Sequence, residues 1–341
     1  MKKSYFLMAA AATLFAACSQ SDVLNEVQVQ EEAQAIGFST YSDKATRGSS
    51  SDVLETYHKT FGVWAYKTYE GSETPVMPHY QVMHNDLNGS GSHDWHYDGD
   101  NAPAGQLLKY WDKRASYTFC AYAPYAAGVT INATSKVISI PEGQYAANQN
   151  IQTSWSENLN TGVFSGTGVG ALDASTDWMI ANVVTRPAGD NALVEEQFSH
   201  TMSKLIVCLK TKDDFKDVIT VNSVSVNNVH GVGKYSSDAT GWKATDAGKT
   251  INGQIGDIVK EKTYYSMEYL LIPSTDAPNF SVNYTINGDT YDVKNQAIVG
   301  ITEFAPGTVY TLTVTISADP IHFDAKVTNW AVGGAGAVEI N

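Results

Sequence analysis

Several residue groups in this chain have the types that chemistry requires. His79, His84, His93 and His96 share one stretch with Asp86, Asp94, Asp98 and Asp100. The His93-x-x-His96 pair beside Asp94 and Asp98 is the kind of spacing that could hold a metal ion. No second motif repeats it and the other intervals are irregular, so the stretch reads as a polar, aromatic surface loop without metal. Ser90-Gly91-Ser92-His93-Asp94 contains the residue types of a catalytic triad, but a triad converges from separate elements and these are consecutive. Gly166-Thr167-Gly168-Val169-Gly170 has the glycine content of a phosphate loop, yet no amphipathic helix follows to hold an anion at its N-terminus. Glu195-Glu196 and Asp213-Asp214 are adjacent carboxylates, which strand alternation turns to opposite faces. Trp95 and Trp155 lie in polar stretches where an indole could stack on a sugar ring or a partner. Nothing here assembles a nucleophile with its base. The expectation is a protein that is not an enzyme and uses no cofactor.

Two positions near the N-terminus carry a different chemistry, that of processing. Met1-Lys2-Lys3 is a positive n-region and Tyr5 to Ala17 an apolar run, too short for the roughly 20 residues of a membrane-spanning helix. It ends on Cys18 after two alanines, the pattern on which bacterial lipoproteins receive diacylglyceryl. The customary leucine three residues before the cysteine is displaced by one, with Phe15 there and Leu14 preceding it. A polar, acidic leash follows from Ser19 to Glu32. Then come a strand-like run from Ala35 to Tyr41 and a small, polar loop, Lys44-Ala45-Thr46-Arg47-Gly48. In order these are an anchor, a tether, one detachable strand and a site for cleavage after Arg47.

The elements behind that segment are all strands. Runs rich in Val, Ile, Thr, Tyr and Phe recur between Gly, Asn, Asp and Pro: 61–66, 117–122, 137–140, 178–184, 204–209, 221–226, 264–272, 280–286 and 309–316. Many short strands at this spacing predict an all-β sandwich or barrel. Asn287-Gly288 predicts a two-residue hairpin, since both turn positions tolerate positive φ. The stretches 70–101, 142–177 and 231–256 read as long loops, and Arg186 to Asn191 as the break between domains. A chain of 341 residues suggests two domains. Cys120 and Cys208 sit in apolar runs and read as buried, unpaired thiols. The formal charge is −14. Residues 1–47 hold four of the 22 basic and five of the 36 acidic side chains, leaving 18 against 31, so the acidity belongs to the body. It argues against nucleic acid or an anionic membrane surface as partner.

Read in order, the pieces resemble the fimbrillin superfamily of Bacteroidales, the lipoprotein precursors of type V pili. Ile36-Gly37-Phe38-Ser39-Thr40 is followed by Ala45-Thr46-Arg47-Gly48 and by Phe61-Gly62-Val63-Trp64-Ala65-Tyr66. Tyr110-Trp111 precedes Tyr117 to Pro124, and Asp177 to Ala181 resembles the last strand of the family's first domain. Phe198 to Leu205 resembles the opening of its second. Tyr269 to Pro273, Pro306 to Thr313 and Val327 to Trp330 fit its later strands.

The resemblance implies two tandem transthyretin-like Greek-key β-sandwich domains, 48–190 and 191–341, behind a signal peptide (1–17) and a lipidated leash with a cleavable strand (18–47). It implies a structural subunit of a cell-surface fimbria, held in the outer membrane as a precursor through lipid on Cys18. An arginine-specific protease would cut between Arg47 and Gly48, and a strand from another fimbrial subunit would replace the one bearing Ile36 and Phe38. After Trp330 only Ala331 to Asn341 remain. Val338 and Ile340 are then either a short donor strand or the last strand of the protein's own second domain, the latter fitting a tip or anchor. The alternative is an outer-membrane surface lipoprotein that acts as an adhesin, holding a glycan or host protein on the 70–101 and 142–177 loops.

Overall fold

The structure, a computed structural model, describes residues 34–41, 59–84, 95–99, 102–145, 147–148, 156–157, 177–253, 255–259, 263–317, 321–329 and 338–339. Cys18, Arg47, Gly48, His93, Asp94, Trp155, the 166–170 glycines and Ile340 lie outside them. Among the described residues every regular element is a strand. In chain order the first half provides β1 (Phe38–Tyr41), β2 (Thr60–Tyr69), β3 (Ser72–His84), β4 (Trp95–His96), β5 (Ser116–Ala123), β6 (Thr130–Ile131), β7 (Ile138–Gln144), β8 (Ala147–Asn148), β9 (Ser156–Glu157), β10 (Met179–Ala181), β11 (Val184–Arg186) and β12 (Val194–His200). The second half provides β13 (Ser203–Thr211), β14 (Ile219–Val229), β15 (Val232–Ser236), β16 (Gly241–Ala244), β17 (Lys249–Asn252), β18 (Gly256–Ile258), β19 (Thr263–Leu271), β20 (Asn279–Ile286), β21 (Asp289–Ala297), β22 (Thr308–Ile316), β23 (His322–Asn329) and β24 (Val338–Glu339). Each of the nine runs singled out by composition overlaps a strand, and 178–184 spans two, β10 and β11.

The first sheet runs β10-β12-β1-β4-β3-β2-β5-β11, and β10 also pairs with β5. That extra pairing closes the sheet into a ring in which β1 is one stave. The residues it encloses are those that alternation turns inward, including Ile36, Phe38, Phe61, Trp95, Phe119, Val194 and Phe198. β12, on the C-terminal side of the 186–191 segment, belongs to this ring.

In the second half a sheet ordered β24-β23-β22-β13-β19-β8 faces another ordered β17-β14-β20-β21. Strict alternation, BiBiBiBiB along β22 in buried and half-buried residues, sends Tyr310, Leu312 and Val314 into a core shared with Val224, Phe280 and Tyr284 of the facing sheet. The Asn287-Gly288 turn has φ of 51° and 92°, with Ile286 opposite Asp289, as its sequence predicts. Cys120 and Cys208 are buried and unpaired.

A third core joins the halves. Trp64, Tyr122 and Trp178 meet Met202, Leu270 and Ile272. Beside them a four-stranded sheet, β16-β15-β7-β6, draws strands from both sides of the chain's midpoint. Gln34–Asn341 is accordingly one compact unit by contact.

Two expected loops are strands instead. Ser72–His84 is the longest described strand, 13 residues paired along β2. Within 231–256 lie β15, β16 and β17, whose polar composition hides their pairing. Of the 142–177 stretch, β7 reaches Gln144, and β8 and β9 both pair along β19.

Candidate functional site

The residues with chemical potential do not converge. His79 stacks flat on Trp64, with ring centroids 4.4 Å apart, and its Nε2 lies 2.7 Å from the Tyr122 hydroxyl. His84 is buried against Trp95. His96 pairs opposite Met83 in the ring, and Asp98 lies just beyond it, between bends at Tyr97 and Gly99. Among the described residues no group of three His, Cys, Asp or Glu side chains could hold a metal. Trp95 is not available to a sugar: it is 7% exposed, packs on Phe61 at 5.0 Å, and its Nε1–H donates to Thr40 Oγ1 at 3.0 Å. Asp177 is likewise committed, 3.0 Å from Nδ1 of buried His200.

What the sequence singled out at 35–41 does form a site, a slot that a single strand fills. β1 runs parallel to β12, with Phe38 level with Val194 and Tyr41 with Gln197, and antiparallel to β4, with Phe38 opposite Trp95. Upstream of β1 the chain is held on both sides. The Ile36 amide donates to the Lys109 carbonyl at 2.8 Å, the Trp111 amide to the Gln34 carbonyl at 3.0 Å, and the Val194 amide to the Gly37 carbonyl at 2.9 Å. Side chains add to the grip. Tyr97 donates its hydroxyl to the Ile36 carbonyl at 2.9 Å. Gln34 and Asn191 exchange two bonds, Nε2 to the Asn191 carbonyl at 3.0 Å and Nδ2 to Gln34 Oε1 at 2.7 Å.

The inward face of the strand carries its apolar load. Ile36 and Phe38 are 1% and 5% exposed, and Phe38 meets Phe61, Tyr97 and Phe119 edge-on at 5.7, 5.8 and 6.0 Å. Burying such side chains contributes roughly 1.5–3 kcal/mol each. The wall also holds Glu196, level with Thr40 in β12 and fully buried. Neither carboxylate oxygen has a hydrogen-bond partner among the described residues, and burial pushes its pKa up to about 8 against the counter-pull of Arg186. Sequence reasoning set Glu196 aside as half of a carboxylate pair. The alternation Val194, Glu196, Phe198 could have placed it on the inner face.

The 102–111 segment that forms one wall is pinned by mimicry of a strand. The Gln106 side-chain amide accepts from the Gln81 amide at 2.7 Å and donates to the Gln81 carbonyl at 2.9 Å. Val338, the other candidate exchange position, pairs opposite Val327 at the edge of the second half's sheet and not in the slot.

The profile of the fimbrillin-like family matches residues 46–330. The chain belongs to that family. No curated protein matches it in sequence. Among solved structures it is similar to a fimbrial protein from Bacteroides vulgatus ATCC 8482, with 17% identity, TM-score 0.55, and coverage of 87% of this chain and all of that one. It is also similar to a cell adhesion candidate from Bacteroides ovatus ATCC 8483, with 16% identity, TM-score 0.54, and coverage of 89% and 99%. At these identities the likeness establishes the fold. As a fimbrillin-like protein it takes a fimbrial or adhesive role at the cell surface. The matched range begins after β1 and ends before β24, so both terminal strands of this fimbrillin-like chain lie outside what it shares with the profile.

Proposed function

We propose that this fimbrillin-like protein is exported, acylated on Cys18 and held in the outer membrane until an arginine-specific protease cuts between Arg47 and Gly48. The slot strand then gives way to a strand from a neighbouring fimbrial subunit. The observation that supports this reading is that β1 is held as a separate piece. It is wedged between β12 and β4, and joined to β2 only through residues 42–59, the stretch that contains Arg47. Cutting there leaves the ladder bonds and the buried Ile36 and Phe38 in place, so cleavage alone does not empty the slot. A competing strand is needed, because an empty slot leaves unpaired backbone groups on two flanking strands.

The division into two Greek-key sandwich domains, 48–190 and 191–341, is part of the proposal, with β12 crossing that boundary to serve as a stave of the first ring. Val338 beside Val327 fits the reading of the tail as this subunit's own last strand, hence a tip or anchor. Size-exclusion chromatography of wild type and Arg47→Ala, each with and without arginine-specific protease, tests the mechanism. The precursor should be monomeric, and oligomers should grow only from cleaved wild type. Assembly of Arg47→Ala at the wild-type rate would rule the mechanism out. A protein recovered from native envelopes with acylated Cys18 still attached would favour the resident adhesin instead.

A further inference from the structure

Eight large apolar side chains stand exposed on the described surface, and four of them surround the slot strand: Leu107 (66% exposed), Leu108 (37%), Tyr110 (49%) and Leu193 (57%). Their placement follows from the pairing. Ala35 bridges Tyr110 antiparallel, which sets Gly37 level with Leu108. On the opposite side the Gly37 carbonyl accepts from the Val194 amide, next to Leu193. Ile36 and Phe38 point into the core, so Ala35 and Gly37 face outward. Both are small. A Cβ added to Gly37 would lie 2.7 Å from Leu193 Cδ2, so that leucine leans over the glycine where a side chain would otherwise be. The resident strand is therefore well fitted on its inner face and underfilled on its outer one, in the middle of an apolar trough.

We propose that the slot is shaped for a strand of a different fimbrial subunit, one that carries large apolar side chains where this chain has Ala35 and Gly37. Those side chains cover Leu108, Tyr110 and Leu193, and that cover favours the incoming strand over the resident one. The inference rests on the strand-exchange reading above. Because the resident strand already satisfies the backbone of the slot, a strand with equivalent inner residues gains nothing there, and its advantage must come from the outer face. A second copy of this chain is a poor donor through its own tail: with Val338 and Ile340 turned inward, Ala337 and Glu339 would face the trough. The 2.7 Å approach at Gly37 is to the far end of an exposed side chain, which a rotamer change moves aside.

The test uses cleaved protein whose resident strand is fluorescently labelled, with three eight-residue peptides as competitors. One has the sequence Gln34 to Tyr41, one carries Ala35→Val and Gly37→Val, and one Ala35→Thr and Gly37→Thr. Valine and threonine have nearly the same shape and strand preference, so their difference isolates apolar cover. The valine peptide should displace the label at a concentration at least about tenfold lower than the threonine peptide, since fully burying two such side chains would be worth on the order of 10²-fold or more and the trough covers them only in part. Leu108→Ser with Leu193→Ser should erase the difference. Equal displacement by the valine and threonine peptides, or a valine advantage that survives the double serine variant, would overturn the inference while leaving strand exchange intact. Entry of none of the three would overturn strand exchange itself, and the inference with it.

Discussion

Phe38 should govern how long the slot keeps its strand after cleavage. Its ring is 5% exposed and meets three aromatic partners edge-on within 6.0 Å. Truncating a buried phenylalanine costs ~3–5 kcal/mol, and edge-on ring pairs add to plain area burial, so Phe38→Ala should cost about 4 kcal/mol. At about 1.4 kcal/mol per tenfold, dissociation of the cut fragment should accelerate on the order of 10³-fold. Cys18 offers a selective point for a fluorophore when the protein is expressed from that residue without its signal. Cys120 and Cys208 are buried, which raises their thiols to about 11 and about 12, so neither competes for the reagent. The labelled protein is cut with an arginine-specific protease, and loss of label from the folded body is followed by gel filtration in the presence of excess unlabelled peptide of the 34–41 sequence. Ser39→Ala, at a half-buried position, should change the rate by no more than about twofold, as exposed substitutions usually stay within ±0.5 kcal/mol. If Phe38→Ala releases the fragment within about tenfold of wild type while the body keeps its circular dichroism, core burial is not what holds the strand.

Four further outcomes are expected. Cys18→Ser should abolish acylation, since only the thiol can form the thioether, and labelled fatty acid incorporated at the wild-type level would refute the anchor. Glu196 has a folded pKa raised to about 8 from an ordinary 4.5, so its contribution to stability is complete below pH 4.5 and is lost as the pH climbs to 8. Denaturant titrations should therefore show wild type losing stability across that window and Glu196→Gln losing less, with identical pH profiles counting against a buried protonated carboxyl. Gly62→Ala should lower the unfolding free energy by roughly 1–3 kcal/mol, because the added Cβ would lie 2.2 Å from Tyr122 Cε1; an unchanged denaturation midpoint would mean the Tyr122 ring moves freely. Deleting Val338 to Asn341 should lower the melting temperature of the second half without impairing capture of a donor strand by the slot. Loss of donor activity at unchanged stability would instead make the tail a donor.

The strands were legible wherever alternation or apolar runs extended over five or more residues, as in β2, β13, β20 and β22. β3 was not, because Pro75 and Pro78 argue against a strand. The ladder accommodates them through register shifts opposite Val63 to Tyr66, where His79 takes φ of 64°. β15 to β17 are four or five residues of mixed polarity, too short for a period to emerge. Trp95 was misread because its neighbours in sequence are polar, while its neighbours in space are Phe38, Phe61 and His84, which only the ring's closure brings together. The slot strand itself was visible from Ile36 and Phe38. Its walls at Lys109 to Trp111 and Asn191 to Val194 lie too far along the chain for any local pattern to connect them.

Closure of the first ring bears on what happens to the chain before it meets a partner. An open sheet presents its border to every other chain in a crowded compartment, and strands join borders with little regard for sequence. In this ring β10 meets both β12 and β5, and among its described members only three-residue β11 hangs outside the loop. If the subunit polymerises by the strand exchange proposed above, it travels with that capacity sealed by its own N-terminal segment. On the strand-exchange proposal, the two facing borders would be uncovered only once the protease has cut and a competing strand has arrived, which ties the timing of polymer growth to the place where enzyme and donor meet.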